Sequence, residues 1–420
     1  MQDPSRLTAT ACARLIRSGT LKPEALLEAC LARIAAREPE VRAFAWFDPD
    51  QVRRAAIHPG PLMGLPVGVK DVLDTSDMPT EYNSPIWRGW RPRADCAAVA
   101  WMRAAGGIVM GKTVTTEFAA RHPGPTANPR DLRRTPGGSS SGSAAAVADF
   151  FVPLAFGTQT AGSIIRPAAF CGVVGYKPSY GMISRAGMKI MSDTLDTIGV
   201  IARSVADCAL LAGSVTGRSL GDLDVKPERL PRIGFCLSPA WESAAPETRA
   251  LMDHVCETLK RAGSVPENRE LPPAFAELKT AHPIIMYAES ARSVGWELAT
   301  ARDLISSELL GLLEFGLTQS EQALEAAYAA FERTRADFLA VMEGLDILVT
   351  PAAPGQAPVG LGSTGDPAFN SIWTSLRVPC VTVPTGIGPE GAPLGIQIVG
   401  RRDEDRATLA FAQWVEATLN

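Results

Sequence analysis

Lys70 stands in the apolar run PVGVKDVL, with Val69 and Val72 close by in the chain. An amine desolvated there loses affinity for its proton, and a neutral lysine can serve as a base. The other reading of the same residues is a strand lysine that faces solvent and pairs with Asp71. Ser163 closes the loop GTQTAGS behind the strand-like FVPLAF, and Pro167 falls where the first turn of a helix begins. A strand, a glycine-bearing loop and a helix N-terminus aim several backbone N–H groups at one point, which is how an oxyanion is held. Ser163 is a nucleophile on that reading and a simple N-cap on the other. Arg166, just ahead of Pro167, opposes the helix macrodipole and so needs an anionic partner, from the protein or from a ligand.

A further serine cluster lies in TPGGSSSGSAAAVA, residues 135–148, which has the composition of a linker followed by that of a helix. Gly138, Ser140 and Gly142 satisfy G-x-S-x-G, a nucleophile elbow that needs a strand before the serine and a histidine after it. RDLRRTPGG is not a strand, and the only histidines downstream are His254 and His282. Two G-x-G-x-x-G matches, at Gly360, Gly362, Gly365 and at Gly386, Gly388, Gly391, open no helix in a βαβ unit and read as turns. His58, His122 and His282 each precede a proline and no histidines pair at helical spacing, so neither a metal nor a cofactor is expected.

The elements around these residues alternate. Leu7, Ala11 and Leu15 share a helical face that Gly19 ends, and Pro23 starts a second helix with Leu26, Leu27, Cys30, Leu31 and Ile34 inward. Strands are expected at 64–75, 107–111 and 150–156, with a helix at 96–105 between the first two. A polar, charged seam at 217–232 precedes a strand in RIGFCL and a helix at 246–261. T-Q-S-E at 318–321 reads as the capping box of a long helix with an apolar stripe through Leu324, Ala327, Tyr328, Phe331, Phe338 and Met342, stopped by Gly344 ahead of the strand DILVT. The pattern is α/β.

Composition narrows the setting. With 46% apolar and 20% charged residues the chain folds around a sizeable core, and 41 basic against 45 acidic residues, interspersed, ask for neither nucleic acid nor a membrane surface. Eight cysteines far apart, with no C-x-x-C, read as reduced thiols of a cytoplasmic protein. The first residues lack the apolar core of a signal peptide, and no run is long enough for a membrane span.

Taken together, GVKD (68–71), PGGSSSGSAAAVA (136–148), GTQTAGSIIRPAAFCGVVGYKPSYG (157–181), LDTIGVIARSVAD (195–207) and the late DILVTPAAP, VPCVTVPTG and PLGIQIVG resemble the amidase signature family over nearly the whole chain. Within it, MPTEYNSPIWRGWRPRAD (78–95), SIIRPAAFCG, HPII (282–285) and STGDPAFNSIWT (363–374) are similar to the malonamidase branch. Ser141, Gln159, Ala161 and Ile165 depart from the usual family pattern, and Gln159 and Ser141 fit that branch.

The resemblance implies one α/β unit over residues 1–420, a single large mixed sheet flanked by helices. Helices within 1–60 pack on its core, and 217–345 forms a variable, helical part of a substrate funnel. It implies a Ser-cisSer-Lys triad in which Ser163 attacks, Ser139 relays the proton and Lys70 is the base. Backbone N–H groups of Thr160, Ala161, Gly162 and Ser163 form the oxyanion hole, and Arg166 grips a substrate carboxylate. A small amide such as malonamate is the implied substrate, with bulkier amides, anilides, esters or carbamates as the alternative. A partner-dependent glutamine amidotransferase subunit is the alternative of another class. A homodimer is implied by resemblance alone.

Overall fold

The structure, a computed structural model, describes residues 3–220 and 229–420. The charged part of the seam read at 217–232 lies outside the described residues at 221–228. Eleven strands form one sheet: β1 Phe44–Trp46, β2 Pro66–Lys70, β3 Ile108–Thr113, β4 Leu154–Gln159, β5 Val174–Lys177, β6 Thr197–Ala202, β7 Ile233–Phe235, β8 Glu267–Asn268, β9 Ile347–Pro351, β10 Cys380–Ile387 and β11 Pro393–Val399. Their order is β1-β3-β2-β4-β6-β5-β10-β11-β9-β7-β8. The sheet is mixed, as expected. β2 runs parallel to β3 and β4, β4 is antiparallel to β6, and the β5-β10-β11-β9 run is antiparallel throughout.

Every residue of β2, β3, β4 and β6 is buried. Strands covered on both faces carry near-continuous apolar runs rather than alternation, which is the pattern of PVGVK and TIGVIA. Helices Ser141–Ala148, Ile165–Cys171, Val205–Thr216 and Asp405–Leu419 pack on the sheet. On the other side of the site, helices Leu278–Ser293, Ser307–Leu317 and Glu321–Val341 pack against one another. No helix among the described residues is long and apolar enough to cross a membrane. All eight cysteines are unpaired.

Parallel pairing decides where the chemistry collects. Val67 to Val69 pair with Leu154 to Phe156, so β2 and β4 leave the sheet along the same edge, one ending on Lys70 and the other on Gln159. Loops beyond the carboxyl ends of parallel strands are where open α/β sheets place their ligands.

Three local expectations shift. The strand expected at 150–156 occupies Leu154–Gln159, because Phe150 takes a left-handed φ of 62° and the chain turns before extending. The helix after Ser163 starts at Ile165, so Pro167 lies in its first turn, where a missing N–H costs nothing. The long helix spans Glu321–Val341 with Ser320 as its N-cap, accepting from the Ala323 N–H. Thr318 instead closes the preceding helix, donating from Oγ1 to the Phe315 carbonyl.

Candidate active site

Lys70 does not face solvent and does not pair with Asp71. It is fully buried, while Asp71 pairs with Lys112, Oδ1 to Nζ at 3.1 Å. Lys70 Nζ lies 2.6 Å from Ser139 Oγ, 2.7 Å from Thr158 Oγ1 and 3.4 Å from the Thr158 carbonyl. No carboxylate among the described residues forms an ion pair with it. Burial depresses its pKa from 10.5 to about 7, and the charge of Asp196 opposes that shift. Such an amine is neutral in an appreciable fraction at neutral pH and can accept the Ser139 proton through its lone pair.

The serine run is divided by function. The Gly138–Ser139 peptide is cis, and Ser139 is the serine turned to Lys70. Ser140 Oγ donates to the Thr158 carbonyl and accepts from the Thr158 N–H, both at 3.2 Å. Ser141 Oγ donates to the Val114 carbonyl, and Ser143 Oγ donates to that of Phe156. Those three hydroxyls dock the start of helix Ser141–Ala148 onto the ends of β3 and β4. The G-x-S-x-G reading of Ser140 therefore fails on geometry: its hydroxyl is spent on the backbone. His254 is exposed and distant in role, and His282 bonds to a carbonyl rather than to a serine.

Residues 160–163 form the loop after β4, and every tie on it is to a buried partner. Thr160 Oγ1 donates to Asp196 Oδ1 at 2.6 Å, and Asp196 Oδ2 accepts from the N–H groups of Met191 and Ser192. The Thr160 carbonyl lies 2.9 Å from His282 Nε2, and burial pushes the His282 pKa down to about 4. The Ala161 carbonyl accepts from Thr374 Oγ1 at 2.8 Å. Gln159 donates from Nε2 to Thr374 Oγ1, while its Oε1 accepts the N–H groups of Ile164 and Ile165. The N–H groups of residues 160–163 meet no protein acceptor among the described residues. Unspent backbone donors in a loop that ends on a serine are groups that can stabilise an oxyanion. Ala161 has no left-handed φ, so alanine there carries no steric cost. Gly162 is required by close approach: a Cβ would stand 2.5 Å from Asn370 Oδ1.

Arg166 is 4% exposed and donates from Nη2 to the Gly138 carbonyl at 2.8 Å and to Thr364 Oγ1 at 3.2 Å. Its Nε and Nη1 have no hydrogen-bond partner, and no carboxylate among the described residues forms an ion pair with it. Burial, aided by Arg121, lowers its pKa to about 10, so it stays charged at neutral pH. Ser163, Arg166, Thr160, Ala161 and Thr364 line one cavity of about 50 Å³. It shares Arg121, Ala161, Met286, Tyr287 and Pro367 with an outer cavity of about 400 Å³ walled by helix Leu278–Ser293. A larger hollow of about 550 Å³ around Gln51, Arg54 and His58 touches none of these residues.

Sequence reasoning missed Asp196, His282 and Thr374 as members of this site. HPII, LDTIG and STGDPAFNSIWT carried all three, but contacts such as that from His282 to a loop 122 residues away have no local signature.

Comparison with known proteins identifies the family and the fold. The family described as Amidase matches residues 25–409. A glutamyl-tRNA(Gln) amidotransferase subunit of Acidobacterium capsulatum is 32% identical over 464 aligned positions, covering 96% of this chain and 97% of that one. Among solved structures, an amidase superposes with a TM-score of 0.89 at 30% identity, covering 99% of this chain and 100% of the other. A 6-aminohexanoate cyclic dimer hydrolase solved with its substrate gives a TM-score of 0.90 at 25% identity, covering 99% and 98%. With this match, this fold and this arrangement of side chains, the chain belongs to the amidase signature family and is an amidohydrolase.

Proposed function

We propose that this amidohydrolase cleaves short linear amides bearing a free carboxylate, of the size of malonamate, and releases ammonia or an amine. The carrying observation is Arg166: a buried, charged guanidinium with two unpaired nitrogens in the same 50 Å³ cavity as Ser163. Leaving such a group unpaired costs more than almost any other buried polar defect, and a carboxylate is its natural complement. The small cavity favours one or two carbons between that carboxylate and the scissile carbonyl.

On this reading Ser163 Oγ attacks the amide carbonyl while its proton passes to Ser139 and the Ser139 proton passes to Lys70. The N–H groups of Thr160, Ala161, Gly162 and Ser163 hold the oxyanion. The proton then returns through Ser139 to the departing nitrogen, the C–N bond breaks, and Ser163 keeps the acyl group. Water attacks that ester by the same relay, freeing the acid and restoring Ser163. The unpaired cysteines support a reducing, cytoplasmic setting, and a homodimer rests on the resemblance to malonamidase alone.

The test is ammonia release from malonamate against neutral amides of equal length, with anilides, esters and carbamates alongside, for the native chain and R166L. Loss of charged hydrogen bonds of this kind is worth about 1.5–3 kcal/mol, so KM for malonamate should rise about 10- to 100-fold in R166L while neutral amides change little. Equal loss on both would make Arg166 structural.

A second reading is favoured by the 32% identity to an amidotransferase component over 96% of the chain. In that case glutamine is the amide hydrolysed and ammonia is delivered to a partner. Efficient turnover of malonamate by the purified chain, with glutamine untouched, argues against it.

A further inference from the structure

We propose that His282 and Thr374 are positioning residues of the oxyanion hole, each holding one carbonyl of the loop so that the N–H of the same peptide unit faces the oxygen of the scissile carbonyl, where the oxyanion develops. The inference rests on the reading of residues 160–163 as that hole and deepens it.

In a trans peptide the C=O of one residue and the N–H of the next lie in one plane and point opposite ways. Anchoring the carbonyl therefore aims the amide. His282 Nε2, 2.9 Å from the Thr160 carbonyl, must carry the proton, since a carbonyl only accepts. It fixes the Thr160–Ala161 unit and points the Ala161 N–H away from helix Leu278–Ser293. Thr374 Oγ1 donates to the Ala161 carbonyl at 2.8 Å and fixes the Ala161–Gly162 unit, which aims the Gly162 N–H. The Asn370 carbonyl also lies within reach of that hydroxyl, at the longer distance of 3.3 Å.

Thr374 and the loop itself are held in turn. Thr374 Oγ1 accepts from Gln159 Nε2 at 3.0 Å, which leaves its own proton free for the Ala161 carbonyl. Thr160 is gripped a second time through its hydroxyl by Asp196. His282 is 4% exposed and Thr374 1% exposed, so water does not compete for either bond. Gln159 meanwhile removes the Ile164 and Ile165 N–H groups from the set of donors that could face the cavity. The loop is thus sorted into amides that are spent and amides that are aimed. Neither His282 nor Thr374 touches the reacting atoms in this arrangement.

The variants are H282L and H282Q, which remove and restore a donor near the Nε2 position, and T374V and T374S, which do the same for the hydroxyl. Each is assayed for kcat and KM, for folding by thermal melting, and for inhibition by a carboxylate-bearing trifluoromethyl ketone and its matching alcohol. The ketone adds to a serine hydroxyl as an oxyanion and the alcohol does not. H282L and T374V should lose about 10- to 100-fold in kcat at nearly constant KM, and bind the ketone more weakly by the same factor. Alcohol binding should hold, and H282Q and T374S should recover most of the loss. Equal weakening of ketone and alcohol, or unchanged kcat, overturns the proposal. If H282L does not fold, the T374V and T374S pair decides alone. If the ketone fails to form an adduct with the native chain, the Ser163 reading fails instead, which separates the two outcomes.

Discussion

Lys70 is the residue whose environment makes the sharpest demand. Its pKa of about 7 places the change from ammonium to amine within the working range. If the amine is the base, kcat/KM rises with pH through about 7 and then levels, falling tenfold per unit well below it. A pH profile that is flat from 5.5 to 8.5 would remove Lys70 from that role. Stability carries the same signature with a definite sign. Unfolded, the amine titrates near 10.5, and folded near 7, so between those values the unfolded chain binds the extra proton and stability rises with pH by about 1.4 kcal/mol per unit. Below about pH 7 the full cost of a buried ammonium is present and constant. K70M lacks this slope. Its stability relative to the native chain, measured by urea unfolding, should shrink by about 2–3 kcal/mol from pH 7 to pH 9.

At the scale of elements, the site depends on how closely helix Ser141–Ala148 meets the strand ends. All eight of its residues are buried. A Cβ at Gly142 would stand 2.1 Å from the Ala43 carbonyl oxygen and 2.3 Å from the Val114 nitrogen, and neither backbone atom can step aside cheaply. G142A should cost about 3 kcal/mol in urea unfolding and, by displacing Ser139 from Lys70, lower kcat as well. Unchanged stability would mean that the helix tolerates being lifted. The same elements tell how far the sequence could be read. The helix at Pro246–Arg261 and the strand in DILVT were legible because periodicity and flanking signals are local. Burial of Lys70 was not, because it follows from β2 lying between β3 and β4, a fact that five residues cannot carry. T-Q-S-E places the cap on Thr318, and only the end of the preceding helix at Leu317 moves it to Ser320. The serine run was legible as a site only through spacing and resemblance, since its composition is that of a linker and its docking hydroxyls find partners on distant strands.

For the whole molecule, one continuous sheet carries Lys70 and the loop after β4 on the same edge, with Ser139 delivered by the helix packed behind them. Helix Leu278–Ser293 closes the cavity from the other side and contributes His282 to the loop. A site assembled this way from one chain should release ammonia without a partner, which the amidotransferase reading denies. The most direct measurement follows the acyl group. Native chain and S163A are mixed with a carboxylate-bearing anilide, quenched in acid within a turnover, digested and mapped by mass spectrometry. The acyl mass is expected on the peptide containing Ser163 in the native chain, at the Ser163 hydroxyl, with neither adduct nor turnover in S163A. An acyl group on Ser139 or Ser140, or continued turnover by S163A, would contradict the assignment of Ser163 as nucleophile.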